Sequence, residues 1–334
     1  MKMVLFLGAG FSKPFGLPVM QDFFVYAKSS ALSDEQKRRL RDLQKLTKAA
    51  ADVFKCDSQN LEDVLSIAAE TDFAQGTSAS TDLAMILQRA LAHPQDIGGP
   101  EDYSNQIATL LGPLGDGSHW TKDDSSLHVV TTNYDVALDW ALCRSGMRIA
   151  LPFKWKPVIQ STCSGFCLYS SEPPYHCMLC KLHGSLNWFE TDGSIKVEDR
   201  VVELPHSRIK NYYWPAVGNE KYHNPGGAAP LIVPPTYFKH RSTQALQDVW
   251  QTAYEALREC EKLVFIGYSF PDSDSHMPYF LASALADNVD LTKVTVIDPM
   301  ASDIAHRIEQ RFGPSITRIL EPIKAKWQEY EHSI

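Results

Sequence analysis

Five short segments of this 334-residue chain carry side chains whose types and spacing can do chemistry. The first is Gly8-Ala9-Gly10-Phe11-Ser12-Lys13-Pro14-Phe15-Gly16-Leu17-Pro18. Glycines after an apolar strand let the backbone come close to a phosphate, and the N–H groups of a following helix then face the anion. No Gly-Lys-Ser/Thr follows, which excludes a P-loop, and Lys13 stands where a dinucleotide fingerprint has Gly or Ala. Taken alone, the segment fits nucleotide binding or an ordinary tight turn. The second segment is Thr131-Thr132-Asn133-Tyr134-Asp135. Its polar groups stand at a strand end where a ligand can meet them, but Asn133 can equally cap a helix and Asp135 can sit in its first turn.

The third segment is Lys181-Leu182-His183-Gly184-Ser185-Leu186-Asn187-Trp188. A histidine at a strand end can act as a base near pH 7, although a lone histidine is more often structural. The fourth runs from Phe265 to Asp274. Gly267 lets a ligand lie against the backbone, and Ser269 can bond a ribose or a phosphate. Asp272 and Asp274 have the type of metal ligands, but such a pair more often caps a helix, the reading favoured for Asp274. The fifth is Val296-Ile297-Asp298-Pro299, an acid placed to accept from ribose hydroxyls or simply a solvated loop acid.

Apolar runs at Met3–Leu7, Leu127–Thr131, Lys262–Ile266 and Val294–Asp298 predict strands, and 231–233 a strand end. Helices are expected at about 17–28, from a capping box of Ser33 with Gln36, from Asn60, and at about 82–92, 136–144, 243–260, 275–286 and 302–312, with 71–81 a loop. Strands that end in a Gly or polar turn and then a helix imply an α/β, Rossmann-like parallel sheet with helices on both faces. Ligands then bind at the carboxyl ends of the strands, where the five segments lie. We expect a single domain over 1–334, carrying a helical insertion at 31–120 and a loop-rich, Cys-containing insertion at 151–230.

Hydrophobic residues make up 44% and charged residues 22%, which suits a globular chain with a buried core. No apolar run approaches the roughly 20 residues of a membrane span, and no export signal is visible, so a cytoplasmic protein is expected. A net charge of −8 argues against a broad nucleic-acid surface, and Lys37-Arg38-Arg39 with Arg41 reads as a solvated helix face. Seven cysteines, an odd number, argue against a disulfide framework. Cys163, Cys167, Cys177 and Cys180 could instead form a structural zinc site, with His176 as a substitute ligand, or remain reduced thiols.

The order of the motifs resembles the sirtuin (silent information regulator) fold. Gly8-Ala9-Gly10-x-Ser12 is followed by Thr131-x-Asn133-x-Asp135, His183-Gly184, Gly267-x-Ser269 and a strand ending at Asp298. Lys-Leu-His-Gly-Ser-x-Asn-Trp at 181–188 and Gly-Tyr-Ser-x4-Asp at 267–274 are similar to the sirtuin-like NAD hydrolases of bacterial antiphage defence. Pro234-Pro235-Thr236 and Asn60-Leu61-Glu62-Asp63-Val64-Leu65 fit the same likeness. The resemblance implies NAD as substrate. Gly8, Ala9, Gly10 and Ser12, with Gly16 in the same turn, would hold the pyrophosphate and its ribose. Asn133, Asp135 and His183 would be catalytic at the nicotinamide ribose, and Gly267, Ser269 and Asp298 would surround the adenosine half. It further implies a toxic, NAD-depleting effector, restrained as a homo-oligomer or by a separately encoded ATPase or nucleic-acid-guided partner. Sirtuin deacetylases follow the Gly-x-Pro turn with Asp-Phe-Arg, whereas Val19-Met20-Gln21 stands here, and their paired cysteines come after the His-Gly rather than before. Water is therefore the expected acceptor. A protein deacylase or ADP-ribosyltransferase, and a non-enzymatic module sensing NAD or ADP-ribose, are the alternatives.

Overall fold

A computed structural model describes residues 2–19, 22–29, 32–53, 56–91, 106–107, 110, 127–144, 147–153, 158–160, 169, 175–191, 194–198, 201–203, 213–215, 228–233 and 244–330. Its centre is a seven-stranded parallel sheet. In chain order the strands are β1 (Met3–Leu7), β2 (Leu127–Thr131), β3 (Ile149–Ala150), β5 (Cys177–Lys181), β11 (Lys262–Ile266), β12 (Lys293–Ile297) and β13 (Leu320–Ile323). They lie in the order β13-β12-β11-β1-β2-β5-β3. A second sheet, β10-β6-β7-β4, is built from β4 (Val158–Gln160), β6 (Gly184–Thr191), β7 (Ser194–Glu198) and β10 (Pro230–Ile232). β8 (Val201–Glu203) and β9 (Tyr213–Pro215) form a separate pair.

β1 lies at the middle of the large sheet, in register with β11 on one side and β2 on the other. All five of its side chains are buried. A strand covered on both faces has no polar side, which is why Met-Val-Leu-Phe-Leu reads as a continuous apolar run. Helices α7 (Gln247–Glu259) and α8 (His276–Leu285) pack on each other, and α7 also lies against β2 and β5. Helix α9 (Ala301–Arg311) lies against β12 and β13. Helix α6 (Ala137–Arg144) follows β2, and α10 (Pro314–Thr317) precedes β13.

Between β1 and β2 the chain forms α1 (Ala9–Ser12), α2 (Phe23–Ser29), α3 (Asp34–Ala51), α4 (Leu61–Gln75) and α5 (Ala79–Leu91). Ser33 and Gln36 make the expected reciprocal capping box on α3, and Asn60 caps α4. Helices α3, α4 and α5 pack on one another. Helix α5 reaches the second sheet, where Gln88 Nε2 donates to the Leu186 carbonyl at 2.8 Å. Among the described residues no helix is long and apolar enough to cross a membrane.

Three expectations change. The helix expected at about 17–28 begins only at Phe23, as α2, and a separate short helix, α1, starts directly after Gly8. The loop expected at 71–81 contracts to 76–78, because α4 continues to Gln75 and ends on Gly76 at φ +66°. The region 151–230 contains β4 to β10 where its aromatic and Pro/Gly content suggested loops. β5 was signalled only by reading His183 at a strand end, because its apolar run is just four residues, 177–180, before the buried Lys181.

Candidate functional site

A cleft of about 700 Å3 opens at the carboxyl ends of β12, β11, β1 and β2. The chain leaves β1 for β2 on one side, and β11 occupies the other. Such a change of winding direction leaves a crevice above the strand ends. Asn133, after β2, and Asp298, after β12, are separated by three strand spacings, roughly 14 Å. Ala9, Gly10, Asn133, Gly267, Ser269 and Asp298 all line the cleft. Gly8, Ser12, Asp135 and His183 are buried and are not among its lining residues.

The glycines explain one another. Gly8 N donates to the Ile266 carbonyl and Gly10 N to the Gly267 carbonyl, each at 3.0 Å. A Cβ on Gly8 would lie 2.5 Å from Gly267 O, and one on Gly10 2.8 Å from Gly267 Cα. Gly267 itself has φ +63°, and a Cβ there would meet Phe11 N at 2.4 Å. Two backbone turns, remote in sequence, thus press together, which demands glycine before any ligand is considered. Gly16, at φ +81°, closes the next turn through its N–H to the Lys13 carbonyl. Trp327, near the other end of the chain, stacks on Phe11 at 4.5 Å and donates Nε1 to the Phe11 carbonyl at 3.2 Å. Lys326, Trp327 and Gln328 thereby join the wall of the cleft.

Asn133 ties β2 to this turn. Its Nδ2 donates to the Gly8 carbonyl at 2.9 Å and to Ser12 Oγ at 3.0 Å. Asp135, rather than Asn133, caps α6: its Oδ1 accepts from Ala137 N at 2.9 Å. Burial pushes the Asp135 carboxyl upward, against the opposing pull of the Lys181 charge. Lys181 is itself fully buried. Its Nζ donates to the Asp135 carbonyl and forms an ion pair with Asp139 at 3.0 Å. Tyr169 donates to the other Asp139 oxygen, Asn187 Nδ2 donates to Tyr169 Oη at 2.8 Å, and Ser185 Oγ donates to Asn187 Oδ1 at 2.6 Å. Lys181, Ser185 and Asn187, three residues of one motif, thus share one buried network. Gly184, at φ +80°, leaves no room for a side chain, since a Cβ would lie 2.0 Å from Leu231 O.

His183 is 2% exposed, and its ring centroid lies 6.1 Å from that of Tyr134, which lines the cleft. Its Nε2 stands 3.9 Å from Asp274 Oδ1, and Asp274 Oδ2 accepts from Tyr268 Oη at 3.0 Å. Asp274, read from sequence as a helix cap, is thus turned inward to a tyrosine and the histidine. The turn that carries it is held from α9: Arg307 donates to the Ser269 carbonyl at 2.6 Å, and Arg311 to the Phe270 carbonyl at 3.1 Å and Asp272 Oδ1 at 2.6 Å. Phe270, buried at φ +52°, is the one described non-glycine residue in the left-handed region, and this clamp supports it. Ser269 is exposed. Asp298 Oδ1 accepts from Met300 N at 2.7 Å, and burial raises its carboxyl above the ordinary value.

Asp272 is exposed while Asp274 is buried, so the two do not form a metal pair. Cys177 and Cys180 are buried cysteines on β5. Three positions apart on a strand, they face opposite sides of the sheet and do not fit a shared tetrahedral ion. His176, the substitute ligand, accepts from Arg148 N through Nδ1. Cys163 and Cys167 lie outside the described residues, as do Pro234, Pro235 and Thr236. Among the described residues no group of three or more His, Cys, Asp or Glu side chains is arranged for a metal. The zinc expectation finds no support in the described half of its ligands.

Sequence reasoning from spacing did not single out Asn60, Glu62, Tyr134, Tyr268 or the 326–328 segment as cleft residues. The spacing in 60–65 signalled a helix start, and the motif likeness gave that stretch no place at the site; the ring partners of Trp327, Phe11 and Phe15, are more than three hundred residues away.

Among curated protein sequences, none matches the chain. Solved structures similar to it include a Sir2 homologue in complex with ADP-ribose, with a TM-score of 0.40 and 13% identity over 98% of this chain and 88% of that one. Another is Sir2 bound to an inhibitor, 2′-O-acetyl-ADP-ribose and a deacetylated peptide, with a TM-score of 0.41 and 12% identity over 99% and 90%. Residues 127–313 match the SIR2-like domain family. That stretch is more than half of the chain and carries Asn133, His183, Gly267 and Asp298, and the protein is a member of the SIR2-like domain family.

Proposed function

We propose that the protein binds NAD in the cleft and hydrolyses its nicotinamide–ribose bond, releasing nicotinamide and ADP-ribose. The observation that carries this reading is the span of the cleft. Asn133 and Asp298 stand roughly 14 Å apart across four strand ends, room for one nucleoside half at each end. Ala9, Gly10 and Gly267, with little or no side chain, line the cleft between these ends and let a pyrophosphate come close to the backbone. Asp298 and Ser269 are of the type to receive ribose hydroxyls at the adenosine end. Membership of the SIR2-like family supports the same ligand.

In this reading the C1′–N bond breaks heterolytically. The bonding pair passes to the nicotinamide nitrogen, so the pyridinium leaves neutral, and the positive charge appears on the ribose as in glycoside cleavage. Water bonds to C1′ and gives up a proton. The Asn133 amide nitrogen is committed to Gly8 and Ser12, which leaves its oxygen to accept from that water. His183, 2% exposed and with its ring 6.1 Å from that of the cleft-lining Tyr134, is assigned to a ribose hydroxyl, and reaching it requires the cleft wall to open.

The test is incubation of the purified protein with NAD alone, reading released nicotinamide. Release without added peptide is expected, reduced by roughly 100-fold or more in His183→Ala and Asn133→Ala. Full activity in both variants would sink the assignment. Release that depends on an acylated peptide or an acceptor protein would point to a deacylase or ADP-ribosyltransferase, and saturable binding without turnover to a sensor. A toxic role in antiphage defence, restrained by self-association or a separately encoded partner, extends this proposal and rests on the motif resemblance. Induced expression without the neighbouring genes should then lower cellular NAD, and unchanged NAD would remove that extension.

A further inference from the structure

Four carboxylates stand at or just behind the cleft, and they are used differently. Asp135 caps α6 and is not part of the lining. Asp274 is buried and turned to the Tyr268 hydroxyl. Asp298 stands at the far end, over β12, and accepts from Met300 N. Glu62 is the fourth. It lines the cleft together with Asn133 and Tyr134, and it comes from α4 rather than from the sheet.

The local sequence places it there. Asn60 caps α4 by accepting from Glu62 N at 2.9 Å, and Asn60 itself lines the cleft, so the first turn of the helix is presented to the end of β2. An acid in a first helical turn also suits the helix dipole. Asp63, the next residue, already meets that demand, and its carboxylate turns back to accept from Asp57 N at 2.7 Å. Glu62 is instead half-buried in the cleft wall. Burial holds the phenols of Tyr134 and Tyr268 well above their ordinary value, and the charge of Glu62 adds to the shift at both. Glu62, Tyr134 and Tyr268 all line the same cleft.

We propose that Glu62 is a catalytic carboxylate facing the nicotinamide ribose, where it stabilises the positive charge that develops on that ribose as nicotinamide departs. The inference rests on the cleavage reading, and it adds to the residues that the motif resemblance places at the nicotinamide ribose a carboxylate that, unlike Asp135, lines the cleft. As the C1′–N pair moves to the ring nitrogen, positive charge moves from the pyridinium to the ribose. A fixed anion beside the ribose stabilises that transition state more than the ground state. Glu62 takes no proton and forms no bond in this step.

Two measurements test it on the full-length protein. Glu62→Gln should lower kcat for nicotinamide release by about 100-fold and weaken NAD binding by no more than about tenfold, so that the larger effect falls on turnover. Glu70→Gln, on the exposed face of the same helix, should match the wild type. Binding supplies a readout independent of turnover: the wild type should favour NAD, whose ring is cationic, over neutral NADH, and Glu62→Gln should lose that preference. A folded Glu62→Gln protein with wild-type kcat and an unchanged preference would overturn the proposal. If the wild type binds NAD without cleaving it, the hydrolase reading fails, while loss of the preference in Glu62→Gln would still place the carboxylate at the cationic end. A wild type that binds neither dinucleotide would overturn both.

Discussion

On the β1–β11 side of the cleft, glycine backbones press directly on one another, whereas the β2–β5 side is held by buried side chains. Gly8, Gly10 and Gly267 bring two turns within van der Waals contact, and no polar side chain is needed between them. Across β2 and β5, Lys181, Asp139, Tyr169, Asn187 and Ser185 form one connected polar chain shielded from solvent. The first arrangement fails when an atom is added, because backbone cannot yield. The second fails when an atom is removed, because a buried charge loses its partner. Both arrangements hold Asn133 in place. The glycine side offers it the Gly8 carbonyl, and the polar side fixes the Asp135 carbonyl two residues further on.

The largest expected effect is on the polar side. Lys181→Met leaves Asp139 buried without its cation and should cost about 3–5 kcal/mol in denaturant unfolding. Adding Asp139→Leu should recover much of that loss, and a double variant as unstable as the single one would break the contrast. On the glycine side, Gly267→Ala meets Phe11 N and also a left-handed φ, so a loss of about 1–3 kcal/mol is expected. A neutral Gly267→Ala would show that the two turns can move apart.

The smallest effect concerns Asp135 and depends on pH. Its carboxyl is raised in the folded state, chiefly by burial, so the fold favours the protonated form. The stability tied to that form is present below the ordinary aspartate range and is lost as pH rises through the raised value. Asp135→Asn keeps a capping oxygen and carries no charge. Its advantage in thermal midpoint should therefore be absent in acid and grow toward neutral pH. An advantage that does not vary with pH would mean that burial of the charge is not what Asp135 costs the fold.

Much of the sheet was legible because β1, β2, β11 and β12 are covered on both faces and read as apolar runs. β13 was not, since Pro322 in an edge strand breaks the pattern, and β5 offers only four apolar residues, 177–180, before Lys181. At the site, the positions of the glycines were legible but their reason was not. Gly8 answers to Gly267, and nothing in local spacing links the two. The capping reading was sound for the 133–135 turn in kind, yet the cap is Asp135 and not Asn133. Asp274 was misread because its partners, Tyr268 and His183, meet it only through the fold. Glu62 announced a helix start through Asn60, and only the packing of α4 brings that start to the cleft.

The Trp327–Phe11 contact closes a loop of 316 residues. A ribosome adding about 5–20 residues each second takes roughly 15 s to a minute to traverse that interval. Throughout it the first strand exists while the wall formed by 326–328 does not. The cleft is thus incomplete until Trp327 has been made, and no partial chain ending short of that residue carries it whole.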